Sequence, residues 1–394
     1  MKRLLFITER FPPDIGGVAR SADRITEALC QLGLNVDVLV WTRYLQAGEV
    51  AFPHRENTPD IESRQIYRVG RYRHWDMTLN HTMNLLDWMQ ENHPYDAVWG
   101  HYLFPAGFLA TWFAELNHLP STVSARGNDI DRGIFPPGDF ARLQWTLERA
   151  SLITTVSADL QKKIQCLTRR DDIILLKNAV DTQIFSPPED RQNSLDMRPD
   201  RHALGIGEDE VILGFSGELR EKKGQRFLFS ALSTVRQVYP ACLLIIGEVR
   251  ESQKPALQLY GATHPEDSDR VIITGHLTDG NSVAQYLQLC DLFLLPSLWE
   301  GMPNSLLEAM ACQCCCIASD AGGIPEAIEH GKNGFILSRS HLHHLGDAIL
   351  ESLKLPPENR RKIGQAARDR ILAEFSPAQE KARLQQVIHR LNSD

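Results

Sequence analysis

Leu292-Phe-Leu-Leu295-Pro296-Ser-Leu-Trp-Glu300-Gly-Met-Pro-Asn-Ser-Leu-Leu-Glu308-Ala-Met310 reads as a strand, a turn and a helix in immediate succession. The apolar run 292–295 is a buried strand, and Pro296, Ser297, Gly301 and Pro303 make the turn. A helix begins near Asn304 or Ser305, residue types that start helices. Glu300 therefore falls on the loop, and Glu308 lies about one turn inside the helix. Both carboxylates can face the crevice at the carboxyl end of a parallel strand, where open α/β sheets bind their ligands. A helix N-terminus attracts phosphate through its unpaired N–H groups and its dipole. Carboxylates nearby suit sugar hydroxyls instead, so the pair points to a ligand that is both phosphate and sugar. Taken alone, the same stretch also fits an ordinary strand and amphipathic helix with two solvated glutamates.

Working outward, apolar runs alternate with helical patterns on both sides. Runs at 4–8, 36–41, 97–99, 121–124 and 152–155, with a helix over 22–32, predict βαβ units and a parallel sheet. Residues 186–204 lose periodicity and gain proline and charge, which predicts a linker or exposed loop. The rhythm restarts with runs at 211–216, 242–246, 271–274, 292–295 and 315–319 and a helix over 225–238. The fold class expected is α/β, with two doubly wound Rossmann-like domains facing each other across a cleft. The expected domains are 1–185 and 205–376, with 186–204 between them, and 377–391 reads as a polar amphipathic helix.

A chain of 394 residues, 43% hydrophobic and 23% charged, has the make-up of an ordinary globular protein with room for two cores. Its net charge of -8 argues against a polyanion partner, so nucleic acid is not expected. Residues 1–8 start like a signal peptide, but the apolar run stops after four residues and no cleavage site follows. No stretch approaches the roughly 20 apolar residues of a membrane helix. The run Cys312-Gln313-Cys314-Cys315-Cys316 lacks a second Cys/His cluster at finger-like spacing, so buried reduced thiols, a cytoplasmic protein and no metal site are expected. Tyr67-Arg-Val-Gly-Arg71-Tyr-Arg73-His-Trp75 mixes basic and aromatic residues and reads as an exposed loop or acceptor-site lining, with peripheral attachment to a membrane surface left open.

Several other segments can carry chemistry. The first strand runs into Glu9-Arg-Phe-Pro-Pro-Asp-Ile-Gly16-Gly17, where two glycines before a helix let a backbone approach a ligand closely or simply make a tight turn. Gly217-Glu-Leu-Arg220-Glu-Lys-Lys223-Gly224 follows the strand 211–216. Its cations suit a diphosphate leaving group, lysine as a point charge and arginine as a planar fork. His101 follows the strand 97–99, and Arg126-Gly-Asn-Asp129 follows the strand 121–124. No G-x-G-x-x-G dinucleotide fingerprint is present.

Taken in order, these segments resemble the family 4 glycosyltransferases, retaining enzymes of the two-domain GT-B fold that use nucleotide-sugar donors. Glu300 and Glu308 match the E-x7-E region, and residues 12–17 resemble the P-P-x-x-G-G loop. Lys223 and Gly224 match G-R-L-x-x-x-K-G, except that Glu218 stands where the family has arginine. His101 resembles the strand-end histidine, and Arg126 to Asp129 resemble an H-G-x-D segment with arginine for histidine. Val156-Ser157, Asn178 to Phe185 and Gly322 to Glu326 resemble further landmarks and read as structural turns and caps.

The resemblance implies a retaining hexosyltransferase that moves a sugar from a UDP-, GDP- or ADP-sugar to a sugar or polyhydroxylated acceptor. Gly16, Gly17, Lys223, Arg220 and the helix start at Asn304, Ser305 and Leu306 would hold the diphosphate, with Arg220 replacing the missing cation. Glu308 would hold the ribose and Glu300 the sugar, beside Gly301, Met302 and Pro303. His101 would lie on the other wall, and Arg126 and Asp129 would line the acceptor side. No cofactor or divalent metal would be needed, because cations and dipoles supply the charge. The last helix would cross back to the first domain, placing 377–394 there. A sugar-nucleotide 2-epimerase of the same fold and a silent nucleotide-sugar-binding module remain alternatives; a dehydrogenase would need the missing fingerprint.

Overall fold

The computed structural model describes residues 1–53, 63–187 and 199–392. Most of the expected linker, at 188–198, lies outside them. The chain divides into two units, one formed by Met1–Asn178 with Glu380–Asp394, the other by Ala179–Gln379. Residues 179–187 join the second unit because their backbone is bonded there. Val180 N–H donates to Phe375 O at 2.9 Å, and Arg368 and Gln288 side chains donate to the carbonyls of Phe185 and Ser186.

In the first unit, strands β1 (Arg3–Thr8), β2 (Asn35–Thr42), β3 (Val50–Ala51), β4 (Arg64–Gly70), β5 (Ala97–His101), β6 (Ser121–Ala125), β7 (Leu152–Thr155) and β8 (Ile173–Leu175) form one sheet. Its order is β3-β4-β2-β1-β5-β6-β7-β8, parallel throughout except for the antiparallel edge pair β3 and β4. Side chains of β1 alternate between two apolar clusters. Leu4 and Phe6 pack with Ile25, Leu29 and Val36 on one face, whereas Leu5 and Ile7 pack with Leu39, Leu86 and Phe113 on the other. A strand covered on both faces in this way reads as a continuous apolar run, which is how residues 4–8 look in the sequence.

The last helix, Pro377–Leu391, contributes Leu384, Val387 and Leu391 to the first of those clusters. Leu384 and Val387 are fully buried, and each stabilises the docking by about 1.5–3 kcal/mol. Glu380 on the same helix grips Arg24 with two hydrogen bonds, of 2.7 and 2.9 Å.

In the second unit, β9 (Val211–Ser216), β10 (Ala241–Ile246), β11 (Val271–Ile273), β12 (Leu292–Leu295), β13 (Cys316–Ser319) and β14 (Phe335–Leu337) form an all-parallel sheet ordered β11-β10-β9-β12-β13-β14. Both sheets thus start in the middle, grow to one edge and then to the other. The reversal falls between β1 and β5 in the first unit and between β9 and β12 in the second. Those are the switch points at whose carboxyl ends open sheets leave a crevice.

Several expectations are corrected. Tyr67 to Gly70 belong to β4 and Trp75 starts the helix Trp75–Asn92, so only Arg71 to His74 form the expected loop. The helix expected over 22–32 begins earlier, at Gly17. In the cysteine run, the strand expected at 315–319 starts one residue later, at Cys316, while Cys312 caps the helix Asn304–Ala311 and Gln313 turns the chain with φ 63°. All four cysteines are buried and unbridged. Burial pushes the thiols of Cys314 and Cys315 up, to about 12 and about 11.

Candidate functional site

At the second unit's switch point, β9 and β12 are neighbours with Leu213 beside Leu292. The loop leaving β9 forms a 3-10 turn, Glu221–Lys223, and stops at Gly224 with φ 77°. A Cβ at Gly224 would sit 2.0 Å from Pro296 O, so only glycine lets this loop lie against the exit of β12. Leu298 N–H donates to Lys222 O at 2.8 Å and ties the two loops together. From the other side Ser319 Oγ donates to Ser297 O at 2.6 Å, and Gly323 N–H donates to Gly301 O at 2.7 Å. Gly322, φ 53°, passes so close that a Cβ would lie 1.8 Å from Glu300 O. The segment 322–326 therefore braces the Glu300 loop rather than merely capping a helix, and the helix Ile324–Ala327 has only four residues.

Glu300 is held by this bracing at 7% exposure. Its Oε1 accepts from Lys223 Nζ at 2.5 Å and from Ser297 Oγ at 2.9 Å, and Lys222 Nζ stands 4.0 Å from Oε2. Burial works to raise its pKa, but Lys223, Lys222 and Ser297 together outweigh it and pull the carboxyl below its usual value. Glu300 is therefore an ionised carboxylate at neutral pH. Gly301, Met302 and Pro303 are buried beside it, and the helix Asn304–Ala311 starts at Asn304 with no side-chain cap at Pro303 and no acidic residue in its first turn. Ser305 and Leu306 complete that turn. Glu308 is 5% exposed, so it is not a solvated surface glutamate.

Arg220 is not free to act alone. Its Nε lies 2.5 Å from Glu218 Oε2, and Arg250 grips the same carboxylate with Nε on Oε1 at 2.7 Å and Nη2 on Oε2 at 3.3 Å.

At the first unit's switch point, Thr8 at the end of β1 sits beside His101 at the end of β5. His101 is thus the last residue of a strand, not one that follows it. Gly16, φ 130°, leads into the helix Gly17–Gln31, whose start carries neither a side-chain cap nor an acidic residue. That leaves the dipole at Gly16 and Gly17 uncompensated within the helix. Ser21 in the same helix donates to Val18 O at 3.0 Å and lies 2.9 Å from His101 Nε2. His101 is fully buried, its Nδ1 without a hydrogen-bond partner among the described residues. Burial, and then the charges of Arg126 and Arg24, push its pKa well below the usual value, so the ring is neutral. A neutral ring can exchange one hydrogen bond at Nδ1 but carries no charge to stabilise.

Tyr102, next to His101, adopts φ 104° and ψ 149°, a region that costs a side-chain-bearing residue about 1–3 kcal/mol and concentrates at functional sites. Arg126 Nη2 donates to Asn178 Oδ1 at 2.7 Å; burial and neighbouring Arg24 lower its pKa to about 10. Asp129 is buried, at 7% exposure. Its oxygens accept from the backbone N–H groups of Arg126, Gly127, Ile130 and Leu103, so from the first turn of the short helix Asn128–Gly133 it ties down the chain that enters that helix.

Ser21, Tyr102 and Arg250 were not legible as candidates in isolation. For Arg250 a signal existed: Gly247-Glu-Val-Arg250 repeats Gly217-Glu-Leu-Arg220 at the end of the neighbouring strand.

Comparison with known proteins agrees with this geometry. Residues 15–184 match the model described as Glycosyltransferase Family 4, and residues 196–370 the model described as Glycosyl transferases group 1. The chain is 27% identical over 372 residues to the N-acetyl-alpha-D-glucosaminyl L-malate synthase of Bacillus anthracis, covering 92% of this chain and 91% of that one. Among solved structures it is similar to sucrose-phosphate synthase from Thermosynechococcus elongatus, with a TM-score of 0.78, 17% identity and full coverage of both chains. It is also similar to Anabaena HepE in complex with UDP-glucose, with a TM-score of 0.74, 18% identity and full coverage of both. Two parallel-sheet units, each with a built switch point, and two family models spanning most of the sequence lead to one conclusion: the chain belongs to the family 4 glycosyltransferases and has the GT-B fold.

Proposed function

We propose that this glycosyltransferase moves a hexosyl group from a nucleoside-diphosphate sugar to a hydroxyl-bearing acceptor, with retention at the anomeric carbon and without a divalent metal. The observation that carries the reading is the buried contact of Lys223 with Glu300 at the switch point of the second sheet. One ionised carboxylate and two lysines there match a ligand whose sugar hydroxyls seek an acceptor and whose diphosphate seeks cations. HepE, which shares the fold, has been solved with UDP-glucose, and this supports a nucleotide-sugar donor.

In this reading Glu308 accepts hydrogen bonds from the ribose hydroxyls. Glu300 receives a sugar hydroxyl, while Gly301, Met302 and Pro303 shape the backbone beside it. Lys223 and the helix start at Asn304, Ser305 and Leu306 meet the diphosphate; in the first unit the helix start at Gly16 and Gly17 has the same anion-binding chemistry. As the sugar–phosphate bond breaks, charge grows on the leaving diphosphate, and these fixed donors stabilise it more than they stabilise the bound donor. The acceptor hydroxyl attacks the face the phosphate leaves and gives its proton to the departing phosphate oxygen, which retains configuration, and Glu300 is not a covalent nucleophile. His101, being neutral, positions a hydroxyl by a single hydrogen bond.

The test is a thermal-shift panel of UDP, GDP and ADP and their sugars in EDTA. One nucleotide series should raise Tm in EDTA as in its absence. A response that requires a divalent metal, or no response to any nucleotide, would overturn the reading.

A further inference from the structure

Beyond their ladder, β9 and β10 continue as a short parallel pair. Gly217 N–H donates to Ile246 O and Leu219 N–H to Glu248 O, each at 2.9 Å, and Leu219 bridges Val249. The repeated tetrapeptides Gly217-Glu-Leu-Arg220 and Gly247-Glu-Val-Arg250 therefore run side by side and in register, which brings Arg250 alongside Arg220. Leu219 is fully buried, so Glu218 and Arg220, one residue to either side, project to the opposite face.

Glu218 there holds two arginines. Two guanidinium groups against one carboxylate leave one net positive charge. The contacts also leave donors in reserve. Arg250 spends Nε and Nη2 on Glu218, and Arg220 presents only Nε, close to the carboxylate but without hydrogen-bond alignment. Arg250 Nη1 and both Nη atoms of Arg220 make no hydrogen bond to the described residues. The arginine side chains are 49% and 36% exposed, whereas Glu218 is 24% exposed, so the cations cover the carboxylate on its open side. Burial works to raise the pKa of Glu218, but the two arginines lower it, so the carboxylate stays ionised and keeps both in place.

We infer that Arg250 is a diphosphate-binding residue, presented together with Arg220 by Glu218. This rests on the proposed nucleotide-sugar donor and names residues that grip its phosphates. Glu218 acts as a positioning residue: it orders two long side chains that would otherwise lose rotamer freedom on binding.

The experiment is calorimetric titration of the full chain with inorganic pyrophosphate and with UDP, GDP and ADP, on wild type, Arg250→Met, Arg220→Met and Glu218→Gln. Arg250→Met and Arg220→Met should each weaken pyrophosphate and the favoured nucleoside diphosphate roughly ten-fold or more, leaving the matching free nucleoside unaffected. Glu218→Gln, which keeps the side chain's shape but no longer holds the two guanidinium groups, should weaken pyrophosphate several-fold despite the added positive charge, with a steeper salt dependence; affinity at or above wild type would remove the positioning role of Glu218. Wild-type affinity for both anions in Arg250→Met, with wild type itself binding a nucleoside diphosphate, overturns this inference and leaves the donor reading standing. Binding of neither pyrophosphate nor any nucleotide by wild type overturns both.

Discussion

Lys223 Nζ and Glu300 Oε1 lie 2.5 Å apart with side-chain exposures of 15% and 8%, joining the exit loops of two adjacent strands through one buried ion pair. Such a pair is costly to break from one side, because the remaining charge stays buried. Lys223→Met should lower stability by about 3 kcal/mol, part of the loss being recovered by Lys222 at 4.0 Å. In a double-mutant cycle with Glu300→Gln, measured by urea denaturation, the coupling should be about 1–3 kcal/mol. Additive losses would mean that the two groups do not act as a pair.

Gly322 supports the same loop by close approach. Gly322→Ala should cost about 2 kcal/mol or more and reduce turnover at least ten-fold, because its Cβ meets the Glu300 carbonyl at 1.8 Å. Gly331→Ala is the matched control: φ is 78° but nothing lies within 4 Å. It should share the backbone strain, about 1 kcal/mol, and keep full turnover. Equal turnover in both variants would remove the bracing role of Gly322.

His101 predicts a pH dependence. Its folded pKa is depressed, and its unfolded pKa is about 6.5. The stability from the neutral ring is thus present above pH about 6.5 and lost as pH falls, by about 1.4 kcal/mol per unit until the folded ring titrates. Urea midpoints of wild type and His101→Gln between pH 5 and 8 should show a shallower acid slope in the variant. Parallel profiles would contradict a buried neutral ring.

Glu308→Ala should weaken nucleotide binding about ten-fold while changing pyrophosphate affinity little, since the proposed contact is to the ribose and not to the phosphates. Isothermal titration of both ligands reads this directly. A proportionate loss for both would assign Glu308 to packing.

Much of the fold was legible because buried parallel strands announce themselves as apolar runs: β7, β9 and β12 have the bounds that residues 152–155, 211–216 and 292–295 suggest. Weaker strands were not legible. In β4 polar residues alternate with apolar ones near the sheet edge, so Tyr67 to Gly70 looked like a basic loop. β8 and β14 have three residues each and no room for a pattern. At the site, the Glu300 loop and Lys223 could be found because their spacing is local. What joins them is not local. The carbonyl contacts of Gly224 and Gly322 are long-range packing, and the backbone N–H groups that Asp129 gathers depend on where the chain turns. Arg250 became visible only when the register of β9 and β10 set two similar tetrapeptides side by side.

The central claim, transfer of a sugar from a nucleoside-diphosphate donor with retention, is tested most directly by proton NMR of the anomeric signal. UDP-, GDP- and ADP-sugars would be incubated in EDTA with wild type and Glu300→Gln, with water and a panel of small polyols as acceptors. The account predicts that wild type consumes one donor, releases the nucleoside diphosphate and gives a product with the donor's anomeric configuration, and that Glu300→Gln slows this at least ten-fold. An inverted anomer, an epimerised sugar nucleotide, or no consumption of any donor would contradict it.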